Sequence, residues 1–378
     1  GFILMKLTLP CKRFLSVANV VAKSIAPKDT ISQTLIKIDE NSNKLIIQHR
    51  GSTSFFKGSV PISDFETDNS DVRQWSVDGA QLKVILSVIP KDEENIEIET
   101  SEDNKLFIIK LSNSKLKLPV FETTENIYNE NVSVLGTVSA HEFLSNLQIL
   151  IKLTVTDEVA ADHGISCLHI FGTKNNLTMM STNTVALVEK KFNIEDVEND
   201  FTVLIKAPQA ALLHSNHFNA DDIVSLYGSE TTFGYIDPLG TLCLVNKPNN
   251  EPIAYEHLKN IVGSEEQVMI DTAQFKYAID SSAKLSTEST ELNLIFNNNG
   301  KVVIENLNND QIEVPALGQV ANTKMSMIKE TLSILCSSVL QNKFYMNWTG
   351  NSGARMLQLQ LLNSCLLYTS DAADDMQC

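Results

Sequence analysis

Six short segments, spaced along a chain otherwise made of brief extended runs, restrict the possible folds more than any other feature. In four of them an aliphatic residue is followed five positions later by Leu or Phe: Leu9 to Phe14, Val77 to Leu82, Val138 to Phe143 and Ile270 to Phe275. Ala207 to Leu212 and Met327 to Leu332 repeat the spacing after a slightly longer lead-in. Each segment follows a strand-like run and carries helical periodicity. Asp78, Ser139 and Asp271 stand where N-caps belong, and Pro10 and Pro208 suit a first helical turn. Alternate anchors lie 129 (Phe14 to Phe143), 132 (Phe143 to Phe275) and 130 (Leu82 to Leu212) residues apart. Self-similarity on that length marks a repeated architecture. The expectation is an α+β fold of three similar domains, each with two helices packed on antiparallel sheets.

Between these segments the chain reads as hairpins. Leu35–Ile38 and Lys44–Gln48 flank the turn 39–43; Ile96–Glu99 and Lys105–Ile109 flank 101–104; Leu292–Phe296 and Lys301–Ile304 flank 297–300. Apolar or alternating runs closed by Asn, Asp, Ser and Gly are hairpin signatures. Polar, turn-rich stretches near 126–131 and 263–266 separate domains at 5–130, 132–262 and 266–363.

A length of 378 residues with 43% hydrophobic side chains suffices for three packed cores. No run of 18 apolar residues occurs, so a membrane-spanning helix is not expected. Met5-Lys6 reads as the native start. The six cysteines have no CxxC spacing, which fits reduced, buried thiols in the cytoplasm and neither a disulfide framework nor a zinc site.

Enzyme signatures are missing: no GxxxxGK[ST], no GxGxxG after a strand, no GxSxG, no HExxH. His214 and His217 have helical i, i+3 spacing but no Cys or carboxylate set beside them, so a solvated or ligand-facing helix face is the better reading. His163, Asp221-Asp222 and Glu265-Glu266 read as turns. No catalytic residue, metal or cofactor is expected.

Three stretches carry a family resemblance. Met5-Lys-Leu-Thr-Leu-Pro-Cys-Lys-Arg-Phe-Leu15, continuing through Val17, Val20 and Val21 to Lys28-Asp-Thr-Ile31, resembles the opening strand, helix and loop of the β subunit of bacterial DNA polymerase III, the sliding clamp. Leu177 to Leu187 sits where that family carries Thr-Asp-Gly-x-Arg-Leu, with Asn183, Thr184 and Ala186 in place of the Asp, Gly and Arg. Pro252-Ile-Ala-Tyr255 is similar to the family's Phe-Pro-x-Tyr element. The resemblance spans roughly Met5 to Asn363 and implies a divergent clamp: domains in an arc, two subunits in a head-to-tail ring around duplex DNA, and a processivity role for the replicative polymerase. A repetitive Asn-rich β protein, structural or adhesive and of phage virion type, is the alternative.

The net charge of −16, from 30 basic and 46 acidic residues, speaks against nucleic acid if taken as a sum. Its distribution matters more. In the first helix Phe14, Val17, Val21 and Ile25 form an apolar stripe, with Lys12, Ser16, Asn19 and Lys23 opposite. Acidic residues crowd the turns instead. Lys12, Lys23, Lys28, Lys83, Lys152 and Lys276 are the expected DNA contacts, Lys28 by its place in the family's loop. The resemblance also implies a cleft for short hydrophobic peptides of the polymerase and clamp loader, lined by Leu187, Pro252 and Leu258 with Thr182 and Val185 at its margin. Leu116, Leu118 and Leu285 are assigned to the subunit interface. The family's last strand is expected to be missing, with 364–378 an appended tail outside the fold and the cleft left incomplete.

Overall fold

In the computed structural model the described residues are 5–25, 33–67, 72–122, 131–154, 164–183, 186–214, 218–253, 267–297, 299–319, 322–339, 341–351, 354–361 and 364–369. They form an α+β fold with 25 strands and six helices, and every described strand pair is antiparallel.

The elements come in three successive runs. The first is β1 (Met5–Pro10), α1 (Cys11–Ala22), β2 (Gln33–Asp39), β3 (Lys44–Arg50), β4 (Ser54–Pro61), β5 (Asp64–Thr67), β6 (Gln74–Asp78), α2 (Gly79–Val88), β7 (Asn95–Thr100), β8 (Leu106–Lys110) and β9 (Lys115–Phe121). The second is β10 (Ser133–Ser139), α3 (Ala140–Ile151), β11 (Cys167–Thr173), β12 (Asn176–Thr182), β13 (Ala186–Phe192), β14 (Phe201–Lys206), α4 (Ala207–Leu213), β15 (Ile223–Gly228), β16 (Thr232–Ile236) and β17 (Leu242–Asn246). The third is β18 (Val268–Asp271), α5 (Thr272–Leu285), β19 (Glu291–Asn297), β20 (Lys301–Glu305), β21 (Gln311–Gly318), β22 (Thr323–Ile328), α6 (Lys329–Ser337), β23 (Lys343–Asn351), β24 (Ala354–Leu361) and β25 (Ser364–Thr369).

Apart from β5, the runs share one element order and one set of main pairings, to which the first adds β6 with β9 and the third β18 with β21. One sheet of each run is β1-β7-β8-β9, β10-β15-β16-β17 or β18-β23-β24-β25. The other is β6-β2-β3-β4, β14-β11-β12-β13 or β22-β19-β20-β21. Runs are joined by strand pairing: β17 lies on β4, and β25 lies on β13. The chain divides into two compact units that each contain one such seam. The first unit holds residues 1–141 and 215–247, the second 142–214 and 248–378, so the middle run contributes to each.

Local chemistry explains most elements. Asn43, Asn104, Asn175 and Asn309 all have φ between 51° and 68° at turns. Asn tolerates this left-handed conformation better than other side chains except Gly, which accounts for Asn at these four turns. Asp78 Oδ1 accepts the Gln81 N–H at 2.8 Å, and Asp271 Oδ1 accepts Gln274 N–H at 3.0 Å, so two of the three expected caps form at these residues. Pro208 sits in the first turn of α4, whereas Pro10 precedes α1 as its N-cap. The anchors Phe14, Leu82, Phe143, Phe275 and Leu332 are buried. The sixth shifts by one: in the seven-residue α4 it is Leu213 that is buried, with Leu212 half-exposed.

One expectation is overturned. The last strand is present: Ser364–Thr369 pairs with β24 from Leu361↔Ser364 to Met356↔Thr369, and with β13 from Lys190↔Ser364 to Ala186↔Tyr368. Ser-Cys-Leu-Leu-Tyr-Thr has the composition of a strand. Residues 370–378 lie outside the described set.

Candidate nucleic-acid interface and partner cleft

The six helices carry six Lys and Arg (Lys12, Arg13, Lys83, Lys276, Lys284, Lys329) against three acidic residues (Glu142, Asp280, Glu330). The helices are therefore net +3 in a chain of −16. Each helix buries one face on its own sheet; Lys12 and Lys83 stand exposed, whereas Arg13 and Lys276 turn back onto protein.

The expected DNA contacts separate into two groups. Lys12, Lys83 and Lys152 are exposed, with flexible ammonium groups available to phosphate. Lys23 is half-buried; burial pulls its pKa down, and the neighbouring Cys243 and Asp237 act the other way. Lys276 Nζ donates to Val339 O at 2.9 Å. These two ammonium groups serve the interior of their units, because at helical spacing a residue near the stripe's edge can turn back onto protein. Lys28 lies outside the described residues.

The cleft residues lie in the second unit. Thr182 and Leu187 are register partners across β12 and β13, and both are buried. Thr182 Oγ1 donates to Ala186 O at 2.7 Å, and Asn183 Oδ1 accepts Ala186 N–H at 2.8 Å. Pro252 is exposed. Its neighbours close on Gly164, where an added Cβ would lie 2.7 Å from Glu251 O and 2.9 Å from Ile253 Cγ1. Val185 and Leu258 lie outside the described residues. Leu367 and Tyr368, set aside as tail, stand directly opposite Leu187 and Ala186. The short apolar run Cys365–Tyr368, bounded by Ser364 and Thr369, could have identified that strand.

Of the interface residues, Leu285 is 57% exposed at the end of α5 and Leu116 is half-buried. Leu118 is a correction: it is fully buried, opposite Phe107 in β8. Strand alternation sends Leu116, Leu118 and Val120 inward and leaves Lys115, Lys117, Pro119 and Phe121 outside. The sequence reading missed Val84 and Val88, 65% and 56% exposed one turn apart on α2. The signal was that α2 is apolar on both faces.

His214 ends α4 half-buried, and His163 and His217 lie outside the described residues. Among the described residues no group of three or more His, Cys, Asp or Glu could hold a metal ion, and no helix is long and apolar enough to cross a membrane. Asp222 is a turn residue, its Oδ2 accepting Asn219 N–H at 2.6 Å.

Comparison with solved structures places this arrangement. The DNA polymerase sliding clamp of Bacillus subtilis superimposes with a TM-score of 0.80 at 13% identity, covering 96% of this chain and 98% of that one. The architecture is the DNA clamp fold. The Pseudomonas aeruginosa sliding clamp gives 0.77 at 15% identity with the same coverage. The Helicobacter pylori beta clamp bound to a DNA ligase peptide gives 0.75 at 14%, covering 96% of this chain and 99% of that one. No protein-family model matches the sequence, and no curated protein matches it. Likeness at this identity is carried by the clamp fold over nearly the whole chain. It leaves the alternative of a repetitive β structural protein without support.

Proposed function

We propose that this chain is a DNA sliding clamp, a non-catalytic cytoplasmic subunit that closes as a head-to-tail homodimer around duplex DNA and tethers the replicative polymerase. The observation that carries the reading is the seam rule. The fourth strand of one run, β4 or β13, pairs with the last strand of the next run, β17 or β25. Applied once more, it leaves β21 of the third run seeking a last strand, and β9 of the first run lacking a β4-type partner. Among the described residues, Gln311–Pro315 pair only with β20, and Lys115–Pro119 only with β8. Unused edges of this kind invite strand addition. Pairing β21 of one copy with β9 of a second, and reciprocally, satisfies both edges in a closed dimer.

The surfaces near these edges are complementary. Lys115 and Lys117 point outward on β9, and Glu313 outward on β21. Val84, Val88 and Phe121 offer exposed apolar area on the first run, and Leu285 and Leu317 on the third. Leu116 keeps a part in the interface, and Phe121 takes the role first given to Leu118.

The reading assigns domains 5–130, 132–262 and 266 onward, the last including β25. Lys12, Lys83 and Lys152 supply phosphate contacts that are few, sequence-blind and salt-sensitive, which holds a ring near the duplex without braking it. The segment around Thr182, Leu187 and Pro252 receives short hydrophobic peptides of the polymerase and loader; the ligase peptide in the H. pylori structure supports such a role. The test is retention on DNA after loading by its loader. The protein is expected to stay on closed circles and to run off once they are linearised. Equal retention on both forms would overturn the proposal.

A further inference from the structure

Lys190 occupies a place where a lysine is costly. It lies in the middle of β13, only 5% exposed, and its Nζ donates to Ser338 O at 2.6 Å. Seven residues earlier, Asn183 Nδ2 donates to Thr331 Oγ1 at 3.4 Å. The two bonds tie Asn183 to the first half of α6 and Lys190 to its C-terminal cap. Lys276 of α5 adds a third bond, to Val339 O. The last carbonyls of a helix lack helical partners and form its negative end. Here Lys190 of the middle run satisfies the carbonyl of the C-cap residue Ser338, and Lys276 of the third run that of Val339, the next residue.

A glycine turn or water would cap the helix more cheaply, since Lys190 is held down to about 8 by burial and by the charge of Lys276. An apolar side chain of similar volume would also pack in β13. Neither would fasten a helix of the third run to a strand of the middle run. Segment 182–190 is the one from which the proposed cleft draws Thr182 and Leu187.

We infer that Asn183 and Lys190 are positioning residues of the partner cleft, fastening α6 to segment 182–190 so that the cleft floor and the helix behave as one body. The inference rests on the peptide-binding reading above. Peptide bound at the cleft then also slows amide exchange in α6.

The test uses the full chain and a labelled copy of the ligase peptide held by the H. pylori clamp, with affinity read by fluorescence anisotropy and exchange in residues 329–337 by mass spectrometry. Lys190→Met is expected to weaken peptide binding about tenfold, the loss of one charge-assisted bond, and to abolish the peptide-induced protection of α6. Lys190→Arg, which restores a cationic donor, keeps affinity within about twofold. Asn183→Ala, the milder change should Lys190→Met fail to fold, weakens binding about threefold. Asp78→Ala, which unseats a helix cap in the first unit, leaves peptide affinity at the parental value. If the parent binds and both cleft variants bind as tightly, the inference falls while the cleft reading stands. If the parent does not bind the peptide at all, both fall.

Discussion

The two seams obey one pairing rule and are fastened by different means. In the first unit β17 meets β4 over Leu242↔Lys57 to Val245↔Ser54, and Asn246 continues the join with its N–H on Thr53 O at 2.8 Å. Close approach adds to it: a Cβ at Gly58 of β4 would lie 3.0 Å from Thr241 Oγ1, just before β17, and within the middle run one at Gly234 of β16 would lie 1.7 Å from Cys243 O of β17. Arg13 Nη2 reaches from α1 to Leu239 O at 2.6 Å. The seam of the second unit adds a helix held by a buried lysine. Main-chain bonds and close backbone packing are indifferent to mild changes of solution; the titratable groups beside them, half-buried Lys23 near Asp237 and Cys243 in the first unit and buried Lys190 near Lys276 in the second, are not. Equivalent joins in a repeated architecture can therefore respond differently to pH.

The largest effect should break the first seam alone. Gly234→Ala drives a methyl group into the backbone of β17 and is expected to lose about 3 kcal/mol or more in urea unfolding. Amide exchange should speed in β4 and β17 while α6 keeps its protection. Equal loosening of α6 would show that the units do not unfold separately.

A pH experiment sharpens the contrast from the other side. Lys190 is lowered to about 8 when folded, against an ordinary value near 10.5. Between those values the unfolded chain binds a proton that the folded chain has released, so stability rises with pH. The rise, parent minus Lys190→Met, should approach about 1.4 kcal/mol per pH unit above pH 8. Burial raises the Cys167 and Cys336 thiols of the same unit, which works the opposite way once unfolded thiols begin to ionise near 9. The window is therefore pH 8 to 9, and a flat difference there would remove the charge argument. The smallest effects come from the caps. Asp78→Ala and Asp271→Ala should each lose about 1 kcal/mol, one per unit, as chemically matched controls.

How much was legible follows from the range of each interaction. Hairpins such as β2–β3 and β19–β20, and the caps at Asp78 and Asp271, depend on residues a few positions apart, so side-chain pattern reveals them. Leu118 was misplaced because alternation defines two faces of β9 without saying which is inside. Lys23 and Lys276 were taken as free because their surroundings, Asp237 with Cys243 and Val339 O, are contributed from far along the chain or from a neighbouring helix. Ser364–Thr369 was set aside on the look of the sequence after it, although its own pattern was that of a strand.

Taken alone, the amino-acid order determined the three runs, their helices and their turns, because i+2, i+3 and i+4 periodicities are written locally. Only the tertiary structure decided that β4 takes β17, that β13 takes β25, and that α6 is held by Lys190. Those choices join groups 148 or more residues apart, and backbone pairing at such a distance leaves no local mark. The open stretches of β9 and β21 became visible only once the two seams were paired.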